Sequence, residues 1–409
     1  MAKRTVTYLP ELVDNNIELS VRHLKQFFKF GHGKKKFITK AVHDVSFDIK
    51  KGECFGVVGE SGCGKTTTGR TLIRLYKATS GSVYFKGYRI VAGNRWNEKE
   101  IKWKRIKAKR KIKELQNEMN EKIRALLDEQ GGQELIASET EKIKAYYTEQ
   151  INKIKEDLAL LIKYEKEKIK QHKYDNSHVN KKLMSKMQMI FQDPVDSLDP
   201  RMTVEDIIQE GLHIQGQYNR FENSQKVKDV LIKVGLLPEY ASRYPHEFSG
   251  GQRQRIGIAR ALIMNPDFLI CDEPISALDV SIRAQIINLL NNLKEEMGLT
   301  IMFIAHDLSV VKYFCDRIAV MYFGNIVELA SSDELFKHPL HPYTRALLSA
   351  IPKPDPLSEK VRKRYVYKPQ EEHDYSKEAP KLTEIVPGHF VLANTEELEK
   401  YRKVLKDNK

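Results

Sequence analysis

Residues 59–66 of the chain, which read GESGCGKT, constrain its fold more than any other segment. They match the spacing G-x-x-x-x-G-K-[ST], in which glycines let backbone N–H groups curl around the oxygens of a phosphate. A short apolar run, residues 55–58, precedes the motif, and residues 66–76 have the pattern of a helix. A buried strand that leads through such a loop into a helix predicts an α/β fold with a phosphate at the helix N-terminus. The alternative is a glycine-rich turn without a ligand, which the flanking strand and helix disfavour.

This phosphate-binding loop, or P-loop, also supplies two side chains with predicted roles of their own. Lys65 places a point charge beside the β- and γ-phosphates of a nucleotide, and Thr66 offers its hydroxyl to Mg²⁺. Cys63 lies beside Lys65 and near a helix N-terminus, and because both favour a thiolate we expect it to react readily with alkylating agents. The loop residues that we predict to contact the nucleotide are Gly59, Ser61, Gly62, Cys63, Gly64, Lys65, Thr66 and Thr67.

Strand and helix patterns alternate over much of the remaining chain. Residues 17–24 alternate between apolar and polar, and residues 41–49 are rich in β-branched and aromatic side chains. Residues 269–271 and 301–304 are short apolar runs typical of buried parallel strands, and residues 282–297 between them have helical spacing. Strands that alternate with helices in this way predict an α/β sheet.

One of these strands ends in two acidic residues. Residues 268–273 read FLICDE, so that Asp272 and Glu273 follow an apolar run. We predict that Asp272 reaches Mg²⁺ through its water shell and that Glu273 orients and polarises an attacking water. By itself this pattern is weak evidence, because acidic residues commonly close strands.

A third motif, FSGGQ at residues 248–252, precedes that strand. The hydroxyl of Ser249 and the backbone N–H groups of Gly250 and Gly251 can bind a phosphate where a helix over residues 252–262 begins. A Ser-Gly-Gly turn that only caps a helix is the alternative reading of these residues in isolation.

Taken in chain order, the motifs resemble those of the ABC transporter ATPases. FSGGQ resembles the ABC signature, FLICDE resembles their Walker B strand, and residues 276–279 resemble the D-loop. The resemblance makes Gln192 the Q-loop glutamine, which touches Mg²⁺ and the transporter core, and makes His306 the switch histidine that contacts the γ-phosphate. It implies that ATP binds between two subunits, with the signature of one subunit facing ATP on the other.

The resemblance also implies a full set of site residues. The catalytic residues are Glu273, His306 and Gln192, and the metal contacts are Thr66, Gln192 and Asp272. An aromatic residue stacks on adenine; Phe28 occupies that place, with Phe27 and Phe30 close by as alternatives. The further nucleotide contacts are Phe28, Ser249, Gly250, Gly251, Gln252 and Asp279.

Four stretches resemble the ATP-binding subunits of the oligopeptide and dipeptide permeases: residues 191–203, 244–255, 341–348 and 386–389. The resemblance is closest to the F-type subunit, which pairs with a D-type subunit, and it covers residues 17–91 and 185–392. It implies ATP hydrolysis that energises oligopeptide or dipeptide import through two transmembrane permease subunits and an extracellular peptide-binding receptor. The chain is then expected peripherally on the cytoplasmic face of a bacterial plasma membrane.

The cysteine content bears on metal and disulfide sites, and the net charge bears on the kind of partner. Some relatives hold an iron–sulfur cluster through C-terminal cysteines, but no cysteine follows Cys315, so we expect no cluster. None of the four cysteines forms a C-x-x-C pair, so the sequence predicts neither a zinc site nor a disulfide framework. The net charge of +14 suits a nucleic acid, an anionic membrane surface or a solvated lysine-rich surface, and charge alone does not decide among them.

Residues 95–182 depart from the family pattern. They are dominated by Lys, Glu, Ile and Leu without proline, and two apolar series step by three or four residues, with Gly131 and Gly132 between them. This spacing predicts an antiparallel hairpin of two helices of about 30 residues, roughly 45 Å long. A frayed charged helix or a disordered insert is the alternative. We expect a dispensable arm that contacts a cytoplasmic partner or an anionic membrane surface, with a solvated spacer as the alternative.

Together these observations predict an α/β fold: a P-loop ABC ATPase core, with a RecA-like sheet plus antiparallel β and α-helical subdomains, an inserted helical hairpin and a C-terminal extension with a possible strand pair at residues 385–392. The predicted division is 1–94, 95–182, 183–335 and 336–409.

DNA-repair ATPases also carry coiled coils, but theirs emerge after the Q-loop glutamine, whereas this insert precedes Gln192. Translation factors of the class carry two cassettes. We therefore expect no nucleic-acid partner.

Overall fold

The structure is a computed structural model that describes residues 4–31, 37–128, 133–276, 278–351 and 365–407. The strands are Ile17–Phe30 (β1), Phe37–Lys50 (β2), Cys54–Val58 (β3), Ser80–Phe85 (β4), Tyr88–Asn94 (β5), Met187–Ile190 (β6), Phe268–Asp272 (β7), Thr300–Ala305 (β8), Arg317–Tyr322 (β9), Asn325–Ser331 (β10), Lys381–Val386 (β11) and His389–Ala393 (β12).

The α-helices include two long ones from the predicted insert. They are Pro10–Asp14 (α1), Lys65–Leu72 (α2), Arg95–Asp128 (α3), Gln133–Ser177 (α4), Lys181–Met184 (α5), Pro194–Ser197 (α6), Val204–Ile214 (α7), Arg220–Lys233 (α8), Gly250–Leu262 (α9), Val280–Met297 (α10), Leu308–Phe314 (α11), Ser332–Lys337 (α12), Pro342–Ala350 (α13), Pro369–Glu372 (α14) and Thr395–Asp407 (α15).

Two sheets form the cassette. One is antiparallel, in the order β2-β1-β4-β5, and the other runs β11-β12-β10-β9-β3-β8-β7-β6. In the second sheet β3 is parallel to β8 and β9, and β7 is parallel to β6 and β8. Every residue of β3, β7 and β8 is buried, which explains why these strands are continuous apolar runs in the sequence. The predicted α/β fold is therefore confirmed.

The parallel strands align the ends that carry the sequence motifs. Val58 at the end of β3 pairs with Ala305 of β8, and Asp272 at the end of β7 pairs with Ile304. Ile190 of β6 pairs with Cys271. Because carboxyl ends of parallel strands meet at one edge of a sheet, the residues that follow these four strands lie side by side.

A helical layer packs beside this edge. Helices α7, α8 and α9 contact one another and bury a common apolar cluster that is continuous with the core of the large sheet. A capping box in which Thr203 and Asp206 bond each other's backbone starts α7. In the described part of the chain, no helix is long and apolar enough to cross a membrane.

The insert is the predicted hairpin of two helices. Helices α3 and α4 contain 34 and 45 residues, longer than expected from the sequence, and they pack along a seam in which Leu115, Tyr147 and Ile151 are buried. The proposed tip at Gly131 and Gly132 lies outside the described residues. The boundaries of the four predicted segments stay predictions.

The C-terminal extension joins the large sheet. Strands β11 and β12 form a hairpin, which confirms the predicted strand pair, and β12 pairs with β10. A small buried apolar cluster lies between this hairpin and α15 and consists of Leu340, Val391, Ala393 and Tyr401. The extension is thus packed on the core rather than attached as a tail.

Candidate active site

The P-loop between β3 and α2 needs its glycines for steric reasons. Gly59 and Gly64 have φ values of 152° and 108°, conformations that other residues rarely adopt. A Cβ atom would come within 2.2 Å of the Met321 carbonyl oxygen at Gly59 and within 2.2 Å of the Ala41 carbonyl oxygen at Gly64. No side chain caps the first turn of α2, so its N–H groups are open to an anion.

Lys65 is folded back into this loop. Its side chain is 4% exposed, and its Nζ donates hydrogen bonds to the carbonyl oxygens of Gly59 at 2.8 Å and Glu60 at 2.9 Å. The same Nζ lies 3.9 Å from Oε1 of Glu273. The loop therefore holds one buried positive charge, carried by the first residue of α2, where a phosphate would bind.

Asp272 and Thr66 form a pair of oxygen ligands at the base of the site. The Thr66 hydroxyl donates to Oδ1 of Asp272 at 2.8 Å, whereas Oδ2 is buried and has no hydrogen-bond partner. Burial raises the pKa of Asp272, and the Thr66 hydrogen bond opposes that rise. An orphaned carboxylate oxygen beside a hydroxyl fits Mg²⁺, which takes hard oxygen ligands.

The rest of the metal shell is sparse among the described residues. They contain no cluster of three or more His, Cys, Asp or Glu side chains that could enclose a metal ion. Mg²⁺ keeps several waters and typically takes one or two carboxylates together with substrate phosphates. The pair therefore suits a magnesium ion that arrives with a nucleotide better than a permanently bound metal.

Glu273 connects the ends of three strands. Its Oε2 accepts a hydrogen bond from Nε2 of Gln192 at 3.2 Å and lies 3.0 Å from Nδ1 of His306. Its backbone φ is 45°, an uncommon conformation for a residue with a side chain, and its N–H is fixed by the Ile304 carbonyl at 3.0 Å. The Glu273 side chain is 13% exposed, so its carboxylate is held at the mouth of the site by partners from β6 and β8.

The signature residues lie apart from this cluster. Ser249 and Gln252 form a reciprocal capping box at the start of α9, and a Cβ at Gly251 would come within 2.7 Å of Ile282 on α10. Within the described residues, Ser249 and Gln252 hydrogen-bond each other and neither bonds the P-loop. Asp279 precedes α10 without a capping bond, and the neighbouring Ala277 lies outside the described residues. In the described part of the chain, no hydrogen bond joins the signature of one copy to its own P-loop.

The aromatic candidates on β1 separate in the structure. The Phe28 ring meets Tyr76, after α2, edge-on at 5.2 Å and lies 6.4 Å from the ring of Phe30. Phe27, which points to the other face of the strand, stacks on His43 at 6.3 Å. Phe28 and Phe30 thus share the strand face toward the end of the P-loop helix, and Phe28 as the adenine contact stays a prediction.

The expectation for Cys63 is wrong in one respect. Its side chain is 6% exposed, and burial raises the pKa of its thiol more than the nearby Lys65 lowers it. Proximity to a cation and to a helix N-terminus is visible in the sequence, whereas desolvation by the surrounding core is not. Cys63 is therefore a buried thiol whose pKa is raised, which disfavours the thiolate.

Sequence reasoning missed one residue of the site. The hydroxyl of Tyr343, in the C-terminal extension, accepts a hydrogen bond from the backbone N–H of Glu60 in the P-loop at 3.0 Å. The motif that contains it, HPYT at residues 341–344, is visible in the sequence, but no spacing rule connects it with a loop 283 residues away.

The geometry of strand, P-loop, helix and converging acids defines a P-loop nucleotide-hydrolysing protein. The model of the ABC transporter family matches in two overlapping segments, residues 42–174 and 156–276, and the model of the oligopeptide/dipeptide transporter C-terminal region matches residues 327–377. The chain belongs to the ABC transporter family and is one of its ATP-binding subunits, an ATPase. Membership of this family implies that the chain works with a dimerising ATPase partner and with membrane subunits.

The sequence of the chain aligns with curated relatives over nearly their whole length. The chain is 45% identical over 384 residues to the oligopeptide transport ATP-binding protein OppF of Bacillus subtilis (strain 168), covering 94% of this chain and 98% of the relative. It is 44% identical over 377 residues to the oligopeptide transport ATP-binding protein AmiF of Streptococcus pneumoniae, covering 92% and 95%. A solved dimeric ATP-binding cassette in a post-hydrolysis state, bound to ADP and Pi, has a TM-score of 0.49 at 21% identity and covers 77% of this chain and 98% of that chain.

Proposed function

We propose that the chain hydrolyses ATP to energise oligopeptide import, as the F-type subunit of a transporter on the cytoplasmic face of a bacterial plasma membrane. The observation that carries the substrate class is the C-terminal match at residues 327–377, because this region distinguishes oligopeptide and dipeptide transporters within the ABC family. The 45% identity with an oligopeptide transport ATP-binding protein supports it. Dipeptides are the alternative substrate.

The proposed roles follow from the contacts described above. Lys65 leaves the Gly59 and Glu60 carbonyls for the β- and γ-phosphates of ATP. Mg²⁺, held by Thr66 and Asp272 and approached by Gln192, would neutralise phosphate charge. Glu273 accepts a proton from water as its oxygen attacks the γ-phosphorus and the bond to ADP breaks, while His306 keeps the carboxylate oriented.

The signature is proposed to serve a second site. Because Ser249, Gly250 and Gly251 lie away from this chain's own P-loop, they suit a γ-phosphate held by a partner, which we infer to be a D-type ATPase subunit. The partner's signature would complete the site around Lys65 and Glu273. Ser249→Arg should then impair hydrolysis of the ATP that the partner holds.

A cleft beside Gln192 is the proposed contact for the membrane subunits. The residues that line it include Arg70, Phe191, Gln192, Asp196 and Arg260. Gln192 hydrogen-bonds Glu273, so a membrane subunit seated in this cleft would contact the residue that links it with the catalytic carboxylate. Two permease subunits and, through them, an extracellular peptide-binding receptor are the inferred partners.

The insert is proposed to be an accessory arm, with its functional boundary inside the predicted segment 95–182. Its central seam buries Leu115, Tyr147 and Ile151 against one another rather than against the cassette. The last turns of α4, by contrast, contact β5 and the N-terminal segment, so they belong with the core.

Affinity purification of the tagged chain from its native membranes tests the proposal. We expect one second ATPase, two multi-spanning subunits and a peptide-binding receptor to co-purify, and we expect oligopeptides to raise ATP turnover of the reconstituted complex. Lys65→Ala is the matched control, because it should lose turnover while the same subunits co-purify. Membrane subunits of another transport class, or turnover that no peptide raises, would refute oligopeptide import.

A further inference from the structure

The P-loop is held from outside the cassette by one side chain. Tyr343, in the first turn of α13, is 2% exposed, and its hydroxyl accepts the Glu60 N–H at 3.0 Å. The carbonyl of the same residue, Glu60, accepts Nζ of Lys65 at 2.9 Å. The backbone at Glu60 is therefore fixed on one side by the C-terminal extension and on the other by the lysine that must move to the phosphates.

The Tyr343 ring has little freedom. It packs against Tyr322 at the end of β9, with ring centroids 4.4 Å apart, and against Tyr367 at 5.6 Å. Burial raises the pKa of the Tyr343 phenol, so the hydroxyl stays neutral across the physiological range. An immobile neutral hydroxyl can hold a backbone N–H in a defined place without adding charge to the phosphate site.

The turn that carries Tyr343 is itself fixed by a buried carboxylate. The N–H of Tyr343 donates to Nδ1 of His341 at 3.1 Å, and the N–H of His341 donates to Oε2 of Glu328 at 3.0 Å. Oε1 of Glu328 accepts the Leu340 N–H at 2.7 Å and lies 2.8 Å from Nε2 of His389 on β12. Glu328 is fully buried, and its hydrogen bonds, together with the side chains of His341 and Tyr343, connect the sheet extension with the P-loop.

We propose that Tyr343 is a positioning residue for ATP binding, which fixes the Glu60 peptide so that the P-loop keeps the shape that receives the phosphates. The inference rests on the ATP-binding role proposed above and adds that the C-terminal extension sets nucleotide affinity. The hydroxyl contacts the loop rather than the reacting atoms. Its loss weakens the bound ground state and the transition state equally, which raises KM and leaves kcat unchanged.

Tyr343→Phe in the full chain removes the hydroxyl and keeps the ring. One hydrogen bond of this kind predicts roughly threefold to tenfold weaker binding of a fluorescent ATP analogue, and an equal rise in KM for the reconstituted complex. Tyr367→Phe is the matched control, because its ring belongs to the same cluster and its hydroxyl does not bond the P-loop. That variant should bind and hydrolyse ATP like the wild type.

The readouts separate a positioning role from a purely structural one. If Tyr343→Phe lowers the unfolding temperature or kcat but leaves the affinity and KM of the folded protein unchanged, the proposal is overturned. If the wild-type chain itself does not bind ATP, the proposed function fails instead. Should Tyr343→Phe fail to fold, hydrogen exchange of the Glu60 amide in the ligand-free wild type decides: the proposal requires protection, and free exchange refutes it.

Discussion

The inserted hairpin and the C-terminal extension both add to the ATPase cassette, but only one of them reaches the P-loop. The extension bonds Glu60 through Tyr343. The described contacts of the hairpin with the cassette go to the antiparallel sheet, to the N-terminal segment and, through the Asn176 carbonyl, to Arg74 just after α2. Among the described contacts, the hairpin is thus anchored without a hydrogen bond to the P-loop itself, and the two cases call for different experiments.

The hairpin is anchored by a buried carboxylate near its end. Asp175 on α4 is fully buried; its Oδ2 accepts Nε of Arg89 at 2.7 Å and the Thr7 hydroxyl at 2.8 Å, and its Oδ1 accepts Nε2 of Gln171 at 2.8 Å. Glu165, ten residues earlier, accepts Nδ2 of Asn97 at 2.6 Å and fixes the two helices to each other. Farther out, the described apolar contacts of the two helices are those of their own seam.

The largest expected effect on ATP turnover comes from a substitution in the ATPase cassette itself, to which both additions are attached. Glu273→Gln keeps the size of the side chain but removes the proton acceptor, so ATP turnover should fall by roughly a hundredfold or more while ATP affinity is kept. ATPase rates and nucleotide titrations of the reconstituted complex measure both quantities. Normal turnover in this variant would show that the cluster of Gln192, His306 and Glu273 is not catalytic.

The sequence predicted the parts of this site that depend on short spacing. The P-loop could be assigned from residues 59–66 because its glycines, lysine and threonine act within one turn, and the ends of β7 and β8 were visible as apolar runs. The convergence of Gln192 and His306 on Glu273 came only through family resemblance. Long-range contacts gave no signal, since nothing local connects Asp175 with Arg89 across 86 residues.

Two deletions of different length separate the anchored base of the hairpin from its free part. Joining Asn94 to Lys182 through a Gly-Ser linker removes Asp175 and leaves Arg89, whose side chain is 10% exposed, without its partner. Removing one member of a buried ion pair costs about 3–5 kcal/mol. We expect this long deletion to lower the free energy of unfolding by that amount.

The shorter deletion joins Arg105 to Asp157 through a Gly-Ser linker. These residues lie level on the antiparallel helices because Leu115 and Tyr147 meet in the seam and Asn97 bonds Glu165. This deletion keeps the anchor, and it should fold and hydrolyse ATP like the wild type. Chemical denaturation and ATPase assays measure the pair. Failure of the short deletion to fold would make the whole hairpin part of the core, and equal stability of both would show that the Asp175 anchor is dispensable.

The extension should respond to pH through His341. Burial, with His373 and Arg345 nearby, lowers the pKa of His341 from 6.5 to about 3, so the unfolded chain binds a proton below pH 6.5 that the folded chain does not. Stability therefore falls as pH falls below 6.5, by about 1.4 kcal/mol per pH unit. His389 beside Glu328 has a raised pKa, so its stabilisation is lost as pH rises above 6.5 and does not contribute to this fall.

His341→Asn isolates this contribution, because asparagine can still accept the Tyr343 N–H as the first residue before α13 and does not titrate. Free energies of unfolding at pH 6.5 and 5.5 should differ by about 1 kcal/mol more in the wild type than in the variant. Glu328, which bonds the turn, and Glu334, which contacts His389, are present in both proteins and cancel. An identical pH slope would mean that His341 is not held neutral.

The smallest expected effect is on the rate at which the Cys63 thiol is alkylated, and this rate allows the two additions to be compared. All four cysteines are buried, and Cys63 lies within the P-loop, where burial raises the pKa of its thiol, so alkylation requires the loop to open. Removing the Tyr343 hydroxyl should make opening easier and speed Cys63 labelling roughly threefold to tenfold, whereas the short hairpin deletion should leave the rate unchanged.

Quantifying the Cys63 peptide by mass spectrometry separates it from the buried Cys54, Cys271 and Cys315. ATP should slow labelling in all three proteins, because a nucleotide on the P-loop opposes its opening. If the hairpin deletion also speeds labelling, the outer part of the hairpin is coupled to the P-loop, for which the contact of Asn176 with Arg74 after α2 is the described route. If Tyr343→Phe leaves the rate unchanged, the extension packs beside the P-loop without holding it, and the difference between the two additions disappears.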